Sequence, residues 1–245
     1  MTKSVDYESR RRAVLCSTIN RYIKRAVPVS SEDISQEFNL SSATIRNIFS
    51  ELEENGYLMH THTSGGRIPT NKGYRYYVDF LLSQMELLDD EKNRVVKEYQ
   101  GKINRFEDAL ETTSEIISEI TRCTSIVSFL ESQDRVFYKG ISLILEQPEF
   151  QDHQKLCLII KMIEDKEQLL NVINRDFSGK VGVYIGEEMG CPEVNNCSIV
   201  VSNYSLNNKL MGKLAVLGPA RMEYRHVIST LEYVSGVLVD VLEKI

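Results

Sequence analysis

The 245-residue chain has no tryptophan, five prolines, five cysteines and four histidines. Each shortage excludes something. No apolar run approaches the ~18 residues that cross a bilayer, so no membrane role is expected. The opening residues, MTKSVDYESRRRAV, carry acids and no apolar core, and do not read as a secretory signal. Five scattered cysteines, an odd number, fit reduced thiols in the cytoplasm rather than a disulfide framework. Recognisable enzyme motifs are missing as well. There is no P-loop, no GxGxxG after a strand, no HExxH and no CxxC pair. Cys191 and Cys197 flank a turn containing Pro192 but have no second pair to complete a zinc site. His60 and His62 alternate on a short strand with no further ligand at a usual spacing. Gly182, Gly186 and Gly190, around a strand end, suit turns and bulges better than a phosphate cradle. Glu187 and Glu188 read as a solvated loop. No catalytic residue, metal or cofactor is expected, and the chain is not read as an enzyme.

What is present lies unevenly. Net charge is −6, yet residues 1–80 hold 11 Lys and Arg against 9 Asp and Glu, leaving them at +2 and the remainder at −8. A weakly basic head on an acidic body suits a protein that offers one end to phosphate.

Residues 6–26 place Val14, Leu15, Thr18, Ile19, Tyr22 and Ile23 on one helical face, and Pro28 stops that helix. Ser30 or Ser31 can cap a short second helix, SEDISQEF, with Glu32 and Asp33 in its first turn. Ser41 or Ser42 can cap a third, SSATIRNIFSELEENG, with core positions Ile45, Ile48, Phe49 and Leu52, ended by Gly56. This order is that of a helix-turn-helix, whose last helix offers its N-terminal residues to base edges. Here those are Ser42, Ala43, Thr44, Arg46 and Asn47. Arg suits guanine, Asn suits adenine, and Ala or a Thr methyl meets the thymine methyl. Any capped amphipathic helix shares part of this pattern. The next stretch adds context: Tyr57–His62 reads as a strand, Thr63–Arg67 as a Gly-Gly turn and Ile68 as the start of a return strand. A hairpin directly after a recognition helix is a wing. His62, Ser64, Arg67, Lys72 and Arg75 line or follow it, with Arg67 the natural contact to phosphate or the minor groove.

The run from Ser41 to Leu82 closely resembles the winged-helix region of the HrcA family of bacterial heat-inducible repressors. The shared residues are Ala43 to Asn47, Leu52, Glu53, Gly56, His62, Thr63, Ser64, Gly66, Arg67, Pro69, Thr70, Gly73, Tyr74, Arg75, Tyr77, Val78 and Asp79. The resemblance implies a homodimer on a double-stranded, inverted-repeat operator (the CIRCE element) of chaperone operons, relieved on heat stress. It also implies dependence on the GroE chaperonin. VYIGEE, SIVVSNY and GKLAVLGPARMEY resemble the family's C-terminal segments, which imply a GAF-like domain. The chain departs from the pattern between Leu130 and Gly140, where relatives carry roughly a hundred further residues, the size of a small domain. A reduced GAF-like domain lacking its insert is therefore expected.

Val96, Tyr99, Ile103, Phe106 and Leu110 continue through Thr113, Ile117, Ile120, Thr124 and Val127 at spacings of 3 and 4. That predicts one long helix over 84–122, with its first five seam residues as the dimer contact. A helix lying wholly on its own subunit is the alternative. Thr124–Leu130 can instead open the next domain as a strand. Beyond it, residues 140–173 read as two or three helices broken or started at Pro148. Strands follow at 181–185, 197–204 and 213–219, then a helix from Ala220 to Leu242. The expected fold is α+β, in three parts. Residues 1–80 are a winged helix-turn-helix, 81–123 a helical linker and 124–245 a GAF-like domain with a mostly antiparallel sheet. The expected function is a sequence-specific DNA-binding repressor. The alternative is a small-molecule sensor or protein-interaction module that uses the winged helix as a docking surface.

Overall fold

The computed structural model describes residues 2–61, 65–81, 87, 89–99, 105–130, 135–191, 194–207 and 209–244. The expected site residues His62 and Ser64 and the seam residue Ile103 lie outside them. The chain divides into two units, Met1–Ser83 and Gln84–Ile245.

The first unit runs α1 (Thr2–Arg25), α2 (Ser31–Phe38), α3 (Ser42–Glu54), β1 (Leu58–His60), β2 (Arg67–Pro69) and α4 (Asn71–Leu81). Its boundaries have local causes. Ser30 and Asp33 form a reciprocal capping box at the start of α2, and Asn39 closes that helix at φ 51°. Ser41, rather than Ser42, accepts the Thr44 N–H at the start of α3. Gly56, at φ +73°, takes the left-handed position that ends α3. Val14, Leu15, Ile19, Ile34, Ile45, Ile48, Phe49, Leu52, Leu58, Tyr74 and Val78 form the core. Arg21 ties α1 to α2 through Asp33 at 3.1 Å and Glu37 at 3.2 Å.

The second unit opens with α5 (Asp89–Tyr99) and α6 (Phe106–Thr121), so the single long helix expected over 84–122 is two helices. Its seam residues go to different places. Leu110 is fully buried, and Tyr99 is buried with its hydroxyl 2.5 Å from Thr113 Oγ1. Val95 fills the core while its neighbour Val96 stays 40% exposed. Tyr99 and Leu110 are thus covered by the chain's own helices, because a facing helix on the same chain carries no entropy cost of association. Thr124 and Val127 lie in a strand, as the alternative reading has it.

The remaining elements are β3 (Thr124–Phe129), β4 (Val136–Lys139), α7 (Ile141–Leu145), α8 (His153–Glu164), α9 (Lys166–Ile173), β5 (Val181–Ile185), β6 (Cys197–Leu206), β7 (Lys209–Pro219) and α10 (Tyr224–Leu242). Pro148 starts a one-turn 3-10 helix between α7 and α8. The five strands pair antiparallel in the order β4-β3-β7-β6-β5, a GAF-like α+β arrangement. Side chains alternate across the sheet. Ile126, Ile199, Val201, Ala215 and Leu217 meet Ile144 of α7, Ile159 and Ile163 of α8 and Leu169 and Val172 of α9 on one face. On the other, Ser125 bonds Ser114 of α6 at 2.9 Å and Ser198 bonds Tyr224 of α10 at 2.7 Å. Strands β6 and β7 extend into what reads from sequence as a loop, and pair as far as Leu206–Lys209 with Asn207 at φ 51°. Edge strand β4 has no counterpart in the sequence reading.

Candidate nucleic-acid interface

Helix α3 buries Ile45, Ile48, Phe49 and Leu52 and turns Ala43, Arg46, Asn47 and Ser50 to solvent. Nothing in the fold needs these exposed residue types. The first turn of α3 holds no acid, whereas α2 has Glu32 and Asp33 at its own start. The positive end of the α3 dipole is therefore not offset by a carboxylate on the helix, which favours an approaching phosphate. Arg46 lies back along its own helix, Nε donating to Ser42 O at 3.3 Å. Asn47 is exposed one residue on. Ser42 is half-buried and donates to Ser35 Oγ at 3.4 Å across the turn. The Thr44 hydroxyl is 2.8 Å from the capping Ser41 hydroxyl. Of the five residues expected to face base edges, Ala43, Arg46 and Asn47 are thus open to a ligand, and Ser42 and Thr44 help build the helix start. Ser50 shares their exposed stripe and was not singled out from sequence, although its spacing from Arg46 and Asn47 is the signal for it.

The cations after α3 are held differently. Lys72 donates to Asn55 O at 2.9 Å and sits 4.9 Å over the Tyr57 ring, closing the C-terminal end of α3. Thr70 Oγ1 joins it there, donating to Gly56 O at 2.6 Å. Arg75 pairs with Asp79 one turn along α4 at 3.7 Å. Arg67 is not at the tip of the hairpin. It opens β2, opposite His60, with its side chain mostly buried and its Nε 2.9 Å from Glu53 Oε2.

All five cysteines are free, and burial pushes the thiol of Cys16 in the first unit up to about 11 and those of Cys123 and Cys197 in the second up to about 12, which favours their protonated form. Among the described residues no group of three or more His, Cys, Asp or Glu could hold a metal, and no helix is long and apolar enough to cross a membrane. An apolar crevice of about 270 Å³ lies between α7 and α8, walled by isoleucines and Leu156, with Ser142 its one hydroxyl.

Three helices, the third with an exposed polar face, followed by a two-stranded wing and α4, define the class: a winged helix-turn-helix of the DNA-binding kind. Residues 7–79 match the model described as "Winged helix-turn-helix transcription repressor, HrcA DNA-binding", and residues 127–228 match "HrcA protein C terminal domain". The chain belongs to the HrcA family. The heat-inducible transcription repressor HrcA of Symbiobacterium thermophilum is 28% identical, with 94% of this chain and 97% of that protein aligned. The repressor of the same name from Desulforudis audaxviator is also 28% identical, over 97% and 98% of the two chains. These alignments span 330 and 340 positions, more than the 245 residues of the chain, so both relatives carry internal residues without counterpart here. A crystal structure of a hypothetical protein has the same fold, with a TM-score of 0.83 over 96% of this chain and 98% of that one, at 18% identity.

Proposed function

We propose that the protein is a heat-responsive repressor that binds, as a homodimer, an inverted-repeat operator of the CIRCE type ahead of chaperone genes. The observation that carries this reading is the outer face of α3. Ala43, Arg46, Asn47 and Ser50 are exposed at the acid-free start of a helix whose opposite face is fully packed. Arg46 and Asn47 read base edges. Ser42 and Thr44 hold the helix start, and Lys72 and Arg75 lie close enough in sequence to the wing to meet phosphates. One recognition helix reads one half-site, so a second copy supplies the other. Tyr99 and Leu110 are buried in their own unit, whereas Val96 is 40% exposed, so Val96 is the seam residue open to a second copy among those described. As a regulator of bacterial transcription the protein acts in the cytoplasm, with the GroE chaperonin as the partner that the family reading supplies.

The test is a mobility shift with the full chain on an inverted-repeat duplex and on a scrambled duplex of equal length, at two salt concentrations. Strong preference for the repeat and steep salt dependence are expected. Equal retention of both duplexes, or none at low salt, refutes the reading. The crevice between α7 and α8 favours a second role, response of the body to a small aliphatic ligand. Melting curves unmoved by a series of short-chain fatty acids would dispose of it.

A further inference from the structure

The wing is a ribbon with three residues in each strand, too short to hold its own orientation. Its anchorage converges on Arg67. The Arg67 N–H donates to Val29 O and the Val29 N–H to Arg67 O, both at 2.9 Å, joining β2 to the segment between α1 and α2. One residue earlier, a Cβ on Gly66 would lie 2.8 Å from Pro28 Cβ, so the hairpin rests directly on that segment. The Arg67 side chain then crosses to the last turn of α3, where its Nε meets Glu53 Oε2 at 2.9 Å. Arg67 is 15% exposed and Glu53 35%. Its Nη1 turns back to Gly65 O at 3.4 Å, and its buried Nε has no aligned hydrogen-bond acceptor among the described residues. The link to Glu53 is therefore charge pairing rather than a directed hydrogen bond.

A guanidinium that grips phosphate has to be exposed and open to a new anion. Arg67 is neither. We infer that Arg67 and Glu53 are a positioning pair, which fixes the angle of the wing to the recognition helix, and that Arg67 makes no contact with DNA itself. The inference rests on the operator-binding reading of the head. It makes a prediction opposite to simple electrostatics. Glu53 is an anion in a DNA-binding unit, so neutralising it should tighten binding if charge alone mattered. If the pair positions the wing, neutralising it weakens binding.

The experiment uses the full chain, the inverted-repeat duplex and its scrambled control, titrated over a salt series, with melting followed by circular dichroism. Glu53→Gln and Arg67→Gln are each expected to bind the repeat about tenfold more weakly. Scrambled duplex should bind as to wild type, and the slope of log affinity against log salt should not change. The double exchange Glu53→Arg with Arg67→Glu should recover the repeat affinity. Where the exchange does not fold, Arg67→Lys replaces it and should keep most of the affinity, because the link is charge pairing. The inference is overturned if Glu53→Gln binds the repeat as tightly as wild type or tighter. A salt slope shallower by about one in Arg67→Gln, the mark of a lost phosphate contact, also overturns it. So does failure of a folded exchange variant to recover. Wild type that does not distinguish the two duplexes refutes the operator reading beneath it instead.

Discussion

The outer face of α3 and the seam of α5 and α6 are both announced by residue spacing, and the fold treats them oppositely. The α3 face is polar and stays open. The seam is apolar, and its residues Tyr99 and Leu110 are closed within the same chain. An apolar stripe states only that something will cover it, and the nearest cover is a neighbouring helix of the same subunit. A polar stripe opposite a packed core has no such obligation. Its residue types are free to serve a ligand, so they carry more functional information than the apolar heptads do.

The strongest way to break this comparison is at Leu110, which is fully buried in α6. Leu110→Ala should cost about 2–5 kcal/mol in denaturant unfolding, with no change in solution mass while the chain stays folded. A variant of unchanged stability and halved mass would return the seam to a dimer interface. Next in size is Arg46→Ala, on the open face. It should lose about 1–3 kcal/mol of preference for operator over scrambled duplex and leave the melting temperature where it was. A clear drop in melting would show that this face supports the fold after all.

How much could be read in advance follows from the range of the signals. In the head they are local. Ser30 with Asp33, Ser41, Pro28 and Gly56 each mark a boundary within a few residues, and the helix-turn-helix and wing follow from them. The partners of the wing cations are not local. Glu53 and the Asn55 carbonyl lie well back along the chain from Arg67 and Lys72, and nothing marks an acid at the end of α3 as the mate of an arginine after a Gly-Gly turn. A cation beside glycines reads as a ligand contact until its neighbours are seen. In the body, β5 and β6 were legible as Val- and Ile-rich runs between turn residues. Strand β4, Val136–Lys139, was not: it is four residues long, lies at the sheet edge and is half-buried at every position, so it shows no alternation. The division between α5 and α6 did have a cue. Gly101 interrupts the heptads between their ends, and a glycine inside a helical pattern weakens the case for one continuous helix.

A smaller effect sharpens the same contrast inside the seam. The Thr113 hydroxyl donates to Ala109 O at 2.6 Å, which leaves Thr113 Oγ1 to accept from the Tyr99 hydroxyl. Burial holds the Tyr99 phenol well above its ordinary range, so it stays a donor throughout the working pH range. Tyr99→Phe keeps the ring and removes that donor, and should cost about 0.5–1.5 kcal/mol in unfolding. A loss of several kcal/mol would mean that the hydroxyl organises more of the α5–α6 contact than one bond.

The smallest effect concerns the two helix starts of the head. Asp33 in α2 is held below the usual carboxylate range, first by the Ser30 hydroxyl and then by the Ser30 backbone N–H and by Arg21 and Arg25. A carboxyl with a depressed folded-state pKa stabilises the protein above its unfolded value, about 3.9, and loses that contribution as pH falls through the folded value. The Asp33 side chain is 35% exposed, so water and salt screen the pairing and the effect is modest. Asp33→Asn should therefore lower the melting temperature slightly near neutral pH, with the gap to wild type closing as the solution is acidified below about pH 4. The α3 start, which has no acid in its first turn, supplies no such acid limb. A gap that persists unchanged into acid would mean that Asp33 acts through its shape in the cap rather than its charge, and the electrostatic distinction between the two helix starts would then fail.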